Sequence, residues 1–113
     1  MDCLFCKIIA GEIPSTKIFE DDTILAFKDI TPAAPVHILF IPKQHIDSAA
    51  MINSNNSSVI AHIYEAIAKV AKDLGIAEDG FRVVTNIGEN GGQTVKHLHF
   101  HLIGGAKLDM KMC

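Results

Sequence analysis

Three histidines alternate with apolar residues in Lys96-His97-Leu98-His99-Phe100-His101-Leu102. In a strand, residues two apart share a face, so His97, His99 and His101 point one way and Leu98, Phe100 and Leu102 point the other way, into a core. A half-buried strand whose polar face happens to be histidine is the plain alternative, but Lys, Glu or Thr would build such a face as well. Imidazole is the side chain that titrates near neutrality. Three of them in a row point to nucleophilic catalysis at phosphorus or an acyl group, to proton transfer, or to a shared transition ion.

The residues just before the histidines bear on that choice. Gly91-Gly92-Gln93-Thr94 places flexible backbone, an amide and a hydroxyl ahead of His97. Glycines let backbone N–H groups approach an anion closely, although a Gly-Gly pair by itself is also an ordinary tight turn. The chain has six histidines but a single arginine, Arg82, so no multi-arginine clamp for phosphate can form. Phosphate would have to be held by N–H groups, hydroxyls and imidazole. Neighbouring imidazoles oppose one another's protonation, so at least one of the three should stay neutral near pH 7, while a protonated neighbour would stabilise phosphoryl charge.

The elements that must carry these residues follow from periodicity and punctuation. Phe5, Ile8 and Ile9 suit one short amphipathic helix ending near Gly11. Residues 17–20 and 23–28 read as two strands around the turn at Glu20-Asp21-Asp22, and 36–41 as a central strand stopping at Pro42. Val59, Ile60, Ile63, Ile67, Val70, Ala71 and Leu74 mark one face of a long helix, with Asn56, Ser57 and Ser58 as cap candidates and Gly75 as its stop. His62 sits beside that stripe and reads as an ordinary boundary residue. Residues 81–86 and 98–103 complete five strands. The expectation is an α+β fold on an antiparallel five-stranded sheet, with one short and one long helix, in a single domain over residues 1–113.

Composition narrows the function classes. Net charge is −3, which argues against a nucleic-acid coat but not against one nucleotide in a pocket. No apolar run is long enough for a membrane span, and the N-terminal residues lack the order of a secretory signal. The chain therefore reads as cytoplasmic. Three cysteines, an odd number, argue against a disulfide framework, and Cys113 is expected to be a free thiol.

His97-Leu98-His99-Phe100-His101-Leu102 resembles the His-x-His-x-His-x-x signature of the histidine triad (HIT) nucleotide-binding proteins. The similarity extends to Cys3–Pro14, to Phe27–Lys43 with Asp29-Ile30-Thr31-Pro32 and Pro35-Val36-His37, and to Asn86–Gly105. It is nearest to the purine nucleoside phosphoramidase branch. The resemblance implies a HIT-like fold whose sheet continues across a homodimer. It implies hydrolysis of adenosine 5′-phosphoramidates to AMP and an amine through a nucleotidyl intermediate on His99, with no organic cofactor. His101 would hold phosphate, with His97, Thr94 and His37 completing the catalytic group. Asp29 would receive the ribose hydroxyls and Ile30 would pack on the sugar or base. Asn86, Gly92, Gln93 and Thr94 would line the rest of the nucleotide pocket. Two other activities stay open: a slow or non-catalytic purine nucleotide-binding regulatory module, and a hydrolase of dinucleoside polyphosphates.

Cys3-x-x-Cys6 has three readings: a redox pair, two unrelated core thiols, or half of a zinc site. A redox pair needs a βαβ context that the pattern around it does not supply. His45 and His97 are the candidates for the missing zinc ligands, and zinc-bearing relatives resemble this arrangement. Such a zinc would be structural. The sequence departs from the family pattern at Ala106, where arginine is usual, at Lys96 and at Thr94, which keeps the hydroxyl of the common serine.

Overall fold

The structure, a computed structural model, describes residues 3–110. Cys113 lies outside the described residues. A five-stranded antiparallel sheet has the order β1-β2-β3-β5-β4, built from β1 (Lys17–Glu20), β2 (Ile24–Lys28), β3 (Val36–Pro42), β4 (Phe81–Val84) and β5 (Phe100–Gly104). Helix α1 (Leu4–Ile9) and helix α2 (Ser58–Asp73) cover it. The α+β architecture is therefore as the sequence predicts.

Side-chain alternation gives each sheet face its own core. Ile24 and Ala26 of β2, Ile38 and Phe40 of β3, and Phe100 and Leu102 of β5 pack with Ile63, Ala66, Ile67, Val70 and Ala71 of α2. Each large apolar side chain buried this way contributes about 1.5–3 kcal/mol. The intervening residues Leu25, Phe27, Leu39 and Ile41 pack instead with Cys3, Phe5 and Ile8 at α1. The histidines share this second face. Burial on both sides explains why β2 and β3 read as near-continuous apolar runs.

Several element boundaries differ from those expected. Strand β5 begins at Phe100, not Leu98, because the ladder with β3 ends at Phe40↔Phe100. Beyond it Leu98 donates its N–H to the Ile46 carbonyl (2.6 Å), and the Pro42 carbonyl takes the His97 ring. Strand β4 ends at Val84, not Asn86, because Thr85 turns its hydroxyl onto the His99 carbonyl (2.8 Å). None of the expected cap side chains bonds α2. Ser57 occupies the cap position without a side-chain bond, and Asn56 uses its carbonyl oxygen on the Asn53 N–H. Gly75 does end the helix at φ +75°, and Leu74, placed on the apolar stripe, is exposed. His62 is more than a boundary residue: its Nε2 meets Asp21 Oδ2 at 2.6 Å and ties α2 to the β1–β2 turn.

Candidate active site and metal cluster

The three alternating histidines share a face, but each has a different partner. His99 bonds the His97 carbonyl through Nδ1 (2.7 Å). A carbonyl only accepts, so Nδ1 carries the proton and the Nε2 lone pair is free. Burial lowers the His99 pKa, against the raising effect of that bond, so the ring is neutral at pH 7. Phe5 packs on it edge to face, with ring centroids 5.0 Å apart. His99 is only 5% exposed, which makes it an oriented, neutral, desolvated imidazole.

His101 is fixed by a chain of bonds that starts on the backbone. Ala33 N–H donates to His37 Nδ1 (2.9 Å), which puts the His37 proton on Nε2. His37 Nε2 lies 2.9 Å from His101 Nδ1 and donates that proton to it, so His101 carries its own proton on Nε2. Asp29 Oδ2 stands 3.5 Å from His37 Nε2, while Asp29 Oδ1 accepts from Thr31 N–H (2.8 Å) and Thr31 Oγ1–H (3.1 Å). Asp29, His37 and His101 are close enough to suggest a metal site. The Ala33 N–H argues otherwise, because it occupies the lone pair that His37 would need to give up its Nε2 proton. Burial first, then His99 and His37, push the His101 pKa down to about 4. Without an anion beside it, His101 is therefore neutral at pH 7. An anionic phosphate alongside would raise this pKa again.

His99 and His101 line a cavity of about 330 Å³, within the range of small-ligand pockets. Its apolar wall is Phe5, Ile8, Ile13, Phe27 and Leu39, and its polar groups include Asp29 and Thr94. Ile30 stands at the rim, 95% exposed, a large apolar side chain without cover. Other candidate residues lie in the loop beside the cavity. Gln93 accepts from Gly88 N–H (2.9 Å) and donates to the carbonyls of Asp47 (2.6 Å) and Val95 (2.9 Å), so its amide braces the loop. Asn86 donates to the Gly91 carbonyl (2.8 Å). Gly92, at φ +80°, faces a neighbouring depression with Gly88 and Glu89 that reaches the cavity through Thr94. At Gly91 a Cβ would lie 2.3 Å from the Ile87 carbonyl oxygen, so only glycine closes this turn. Arg82 donates to the Asp109 carbonyl and does not line the cavity.

His97 belongs elsewhere. It is fully buried, with Nδ1 3.3 Å from Cys3 Sγ and 3.6 Å from Cys6 Sγ, while Cys6 Sγ lies 3.3 Å from His45 Nδ1. Ligands at about 2.0–2.3 Å around one tetrahedral ion stand about 3.4–3.8 Å apart, close to these separations. The four ligand atoms all lie within 4.8 Å of one another. The outer partners fit as well. His97 Nε2 donates to the Pro42 carbonyl (2.8 Å) and His45 Nε2 to Asp47 Oδ1 (2.8 Å), leaving both Nδ1 lone pairs directed at the thiols. Without an ion, burial and the neighbouring Cys3 push the Cys6 thiol up to about 11. A bound dication would deprotonate it. The donor set therefore fits zinc, and both cysteines are free of disulfide.

Four residues of this region carry no spacing signal that marks them. Phe5 reads as an amphipathic core position, Asp47 as a loop acid, Pro42 as a strand stop and Thr85 as a strand residue. Their roles lie in what their side chains or carbonyls touch. No helix among the described residues is long and apolar enough to cross a membrane.

Comparison with known proteins places these residues in a family. The family model described as scavenger mRNA decapping enzyme C-term binding matches residues 2–112. The purine nucleoside phosphoramidase of Escherichia coli strain K12 is 42% identical over 107 residues, covering 95% of this chain and 90% of its own length. Protein HitA of Neisseria gonorrhoeae is 44% identical, over 91% of this chain and 95% of its own. A HIT family hydrolase from Clostridium thermocellum superposes with a TM-score of 0.95 at 53% identity, over 99% of this chain and 97% of that one. On this sequence and structural likeness, the chain belongs to the histidine triad (HIT) family.

Proposed function

We propose that this protein is a hydrolase of purine nucleoside 5′-phosphoramidates, with adenosine 5′-phosphoramidate as the type substrate. The observation that carries this reading is the His99 tautomer. Its Nδ1 proton sits on the His97 carbonyl, which leaves a neutral nucleophilic Nε2 beside Asp29, Thr94 and His101. The apolar wall suits a purine and sugar, and Asp29 offers the carboxylate that ribose hydroxyls require. The phosphoramidase of Escherichia coli, similar over nearly the whole chain, supports the substrate class.

In this reading His99 Nε2 attacks the α-phosphorus, a bond forms between them, and the P–N bond to the leaving amine breaks. Beside the bound anionic phosphate His101 takes up a proton, and this imidazolium gives its Nε2 proton to the departing nitrogen and becomes neutral, while His37 holds the ring in place. Water then attacks the nucleotidyl-imidazole, AMP leaves, and the proton released returns to His101. Cys3, Cys6, His45 and His97 would hold a structural zinc, which supplies charge to two thiolates and a cross-link between α1 and the sheet. The position of β4 at the end of the sheet, with four half-buried residues, supports a homodimer whose sheet continues across two copies. Sedimentation of the purified chain tests that.

Mixing the protein with adenosine 5′-phosphoramidate and quenching in base should give a chain heavier by one nucleotidyl group, on His99. His99→Ala should lose at least about 10³-fold in turnover and keep AMP binding. Wild-type turnover in His99→Ala would overturn the nucleophile. A wild type that binds AMP and cleaves neither phosphoramidate nor dinucleoside polyphosphate would be a nucleotide-binding module.

A further inference from the structure

Helix α1 belongs to two sites at once. Cys3 caps it, accepting the Cys6 N–H at Sγ (3.3 Å), and Cys6 sits in its first turn, so both thiols of the four-ligand cluster travel with this helix. Its remaining buried face walls the nucleotide cavity through Phe5 and Ile8. Phe5 packs edge to face on His99 and also on His97, with centroids 5.9 Å apart. Leu4, Thr94 and Val95 line both the nucleotide cavity and the opening beside Cys3 and His45. The two sites are thus separated by one thin wall, to which α1 contributes Leu4 and Phe5 and the loop before His97 contributes Thr94 and Val95.

A helix of six residues has almost no stability of its own. It stays in place through its tertiary contacts, which here are the two thiols and the apolar residues Phe5, Ile8 and Ile9. With a metal across Cys3, Cys6, His45 and His97, docking of α1 is enforced by bonds to the sheet side of the molecule. Without it, α1 is held by its apolar contacts and by the weaker Cys3–His97 and Cys6–His45 sulfur–imidazole contacts, 3.3 Å each. The fraction of molecules with a complete nucleotide wall then falls, and apparent nucleotide affinity falls with that fraction.

We infer that the Cys3–Cys6–His45–His97 cluster positions the nucleotide cavity through α1, so that metal and purine nucleotide bind cooperatively. Phe5 and Leu4 are the positioning residues. The inference rests on the reading of the cavity as a nucleotide site. Linkage makes the effect reciprocal: whatever factor zinc adds to nucleotide affinity, nucleotide must add to zinc affinity.

The test is a closed cycle on the full chain. AMP is titrated calorimetrically into zinc-loaded and chelator-stripped protein, and zinc is competed away by a chelator with and without AMP. The stripped form should bind AMP about five- to 150-fold more weakly, and AMP should hold zinc more tightly by the same factor. Hydrogen exchange on the stripped form should lose protection over residues 4–13 while β2 and β3 keep theirs. Ile9→Ala loosens α1 without lining the cavity, so it should widen the gap between the loaded and stripped AMP affinities. Equal AMP affinity in both forms overturns the coupling and leaves the nucleotide reading standing. AMP binding to neither form removes both. A wild type that takes up no zinc, a stripped form that loses protection throughout the sheet, or an Ile9→Ala gap no wider than wild type also overturns it.

Discussion

Two groups of histidines flank His99 and do opposite things with the same side chain. In the cluster with Cys3 and Cys6, His45 and His97 have Nε2 held by acceptors, Asp47 and the Pro42 carbonyl, so their Nδ1 lone pairs face the thiols. In the relay, His37 has Nδ1 held by a donor, the Ala33 N–H, so it presents a proton to His101. One arrangement suits the binding of a cation and the other suits the handing over of a proton. The difference lies in the partner of the far nitrogen. Ligand proximity alone makes both groups look alike, and only the tautomers separate them.

That contrast can be broken one group at a time. The largest effect is expected from Cys6→Ser, which should take bound zinc from about one per chain to near zero by metal analysis. Normal zinc content in that variant would remove the cluster from the comparison. Next, His37→Ala should lower phosphoramidate turnover about 10²-fold, because His101 loses the donor that sets its tautomer, while zinc content stays unchanged. A change in zinc content instead would mean that the two groups are not separate. Asp47→Asn should weaken zinc about tenfold in chelator competition, since the outer acceptor of His45 loses its charge. An unaltered affinity would show that the Asp47 contact has no part in tuning the ligand.

The smallest effect is on stability against pH. His101 is held to about 4 in the folded chain, against about 6.5 when unfolded. The native state therefore binds fewer protons than the unfolded state between these values. Stability contributed by neutral His101 is complete above pH 6.5, is lost as pH falls toward 4, and levels off below that. Partial exposure reduces the effect to on the order of 1–2 kcal/mol. Denaturant titrations of wild type and His101→Asn across this range measure it, and identical slopes for the two proteins would contradict the shift.

Much of the fold and part of the site were legible in the residues. Period-two alternation at His97–Leu102 put the three histidines on one face, and helical periodicity at Ile63–Ala71 found α2, because both patterns are local geometry. The β5 start at Phe100 was not legible. It depends on Leu98 bonding Ile46 and on Pro42 directing its carbonyl at His97, contacts between segments about fifty residues apart. The same holds for the bond by which the Gln93 amide braces the loop to Asp47. Phe5 shows the limit most clearly. Its spacing marks a core helix face and says nothing of the imidazole it packs against.

The sequence alone determined which chemistry was available: imidazole on one strand face, two thiols one helical turn apart, and no arginine cluster for phosphate. Residue type and near-neighbour spacing suffice for that, since side-chain chemistry and backbone period are intrinsic to the chain. Only the tertiary structure decided which nitrogen of each imidazole donates and which accepts. A ring nitrogen is a donor or an acceptor according to what sits 2.7–2.9 Å away, and for His99, His37 and His97 that is the backbone of His97, Ala33 and Pro42.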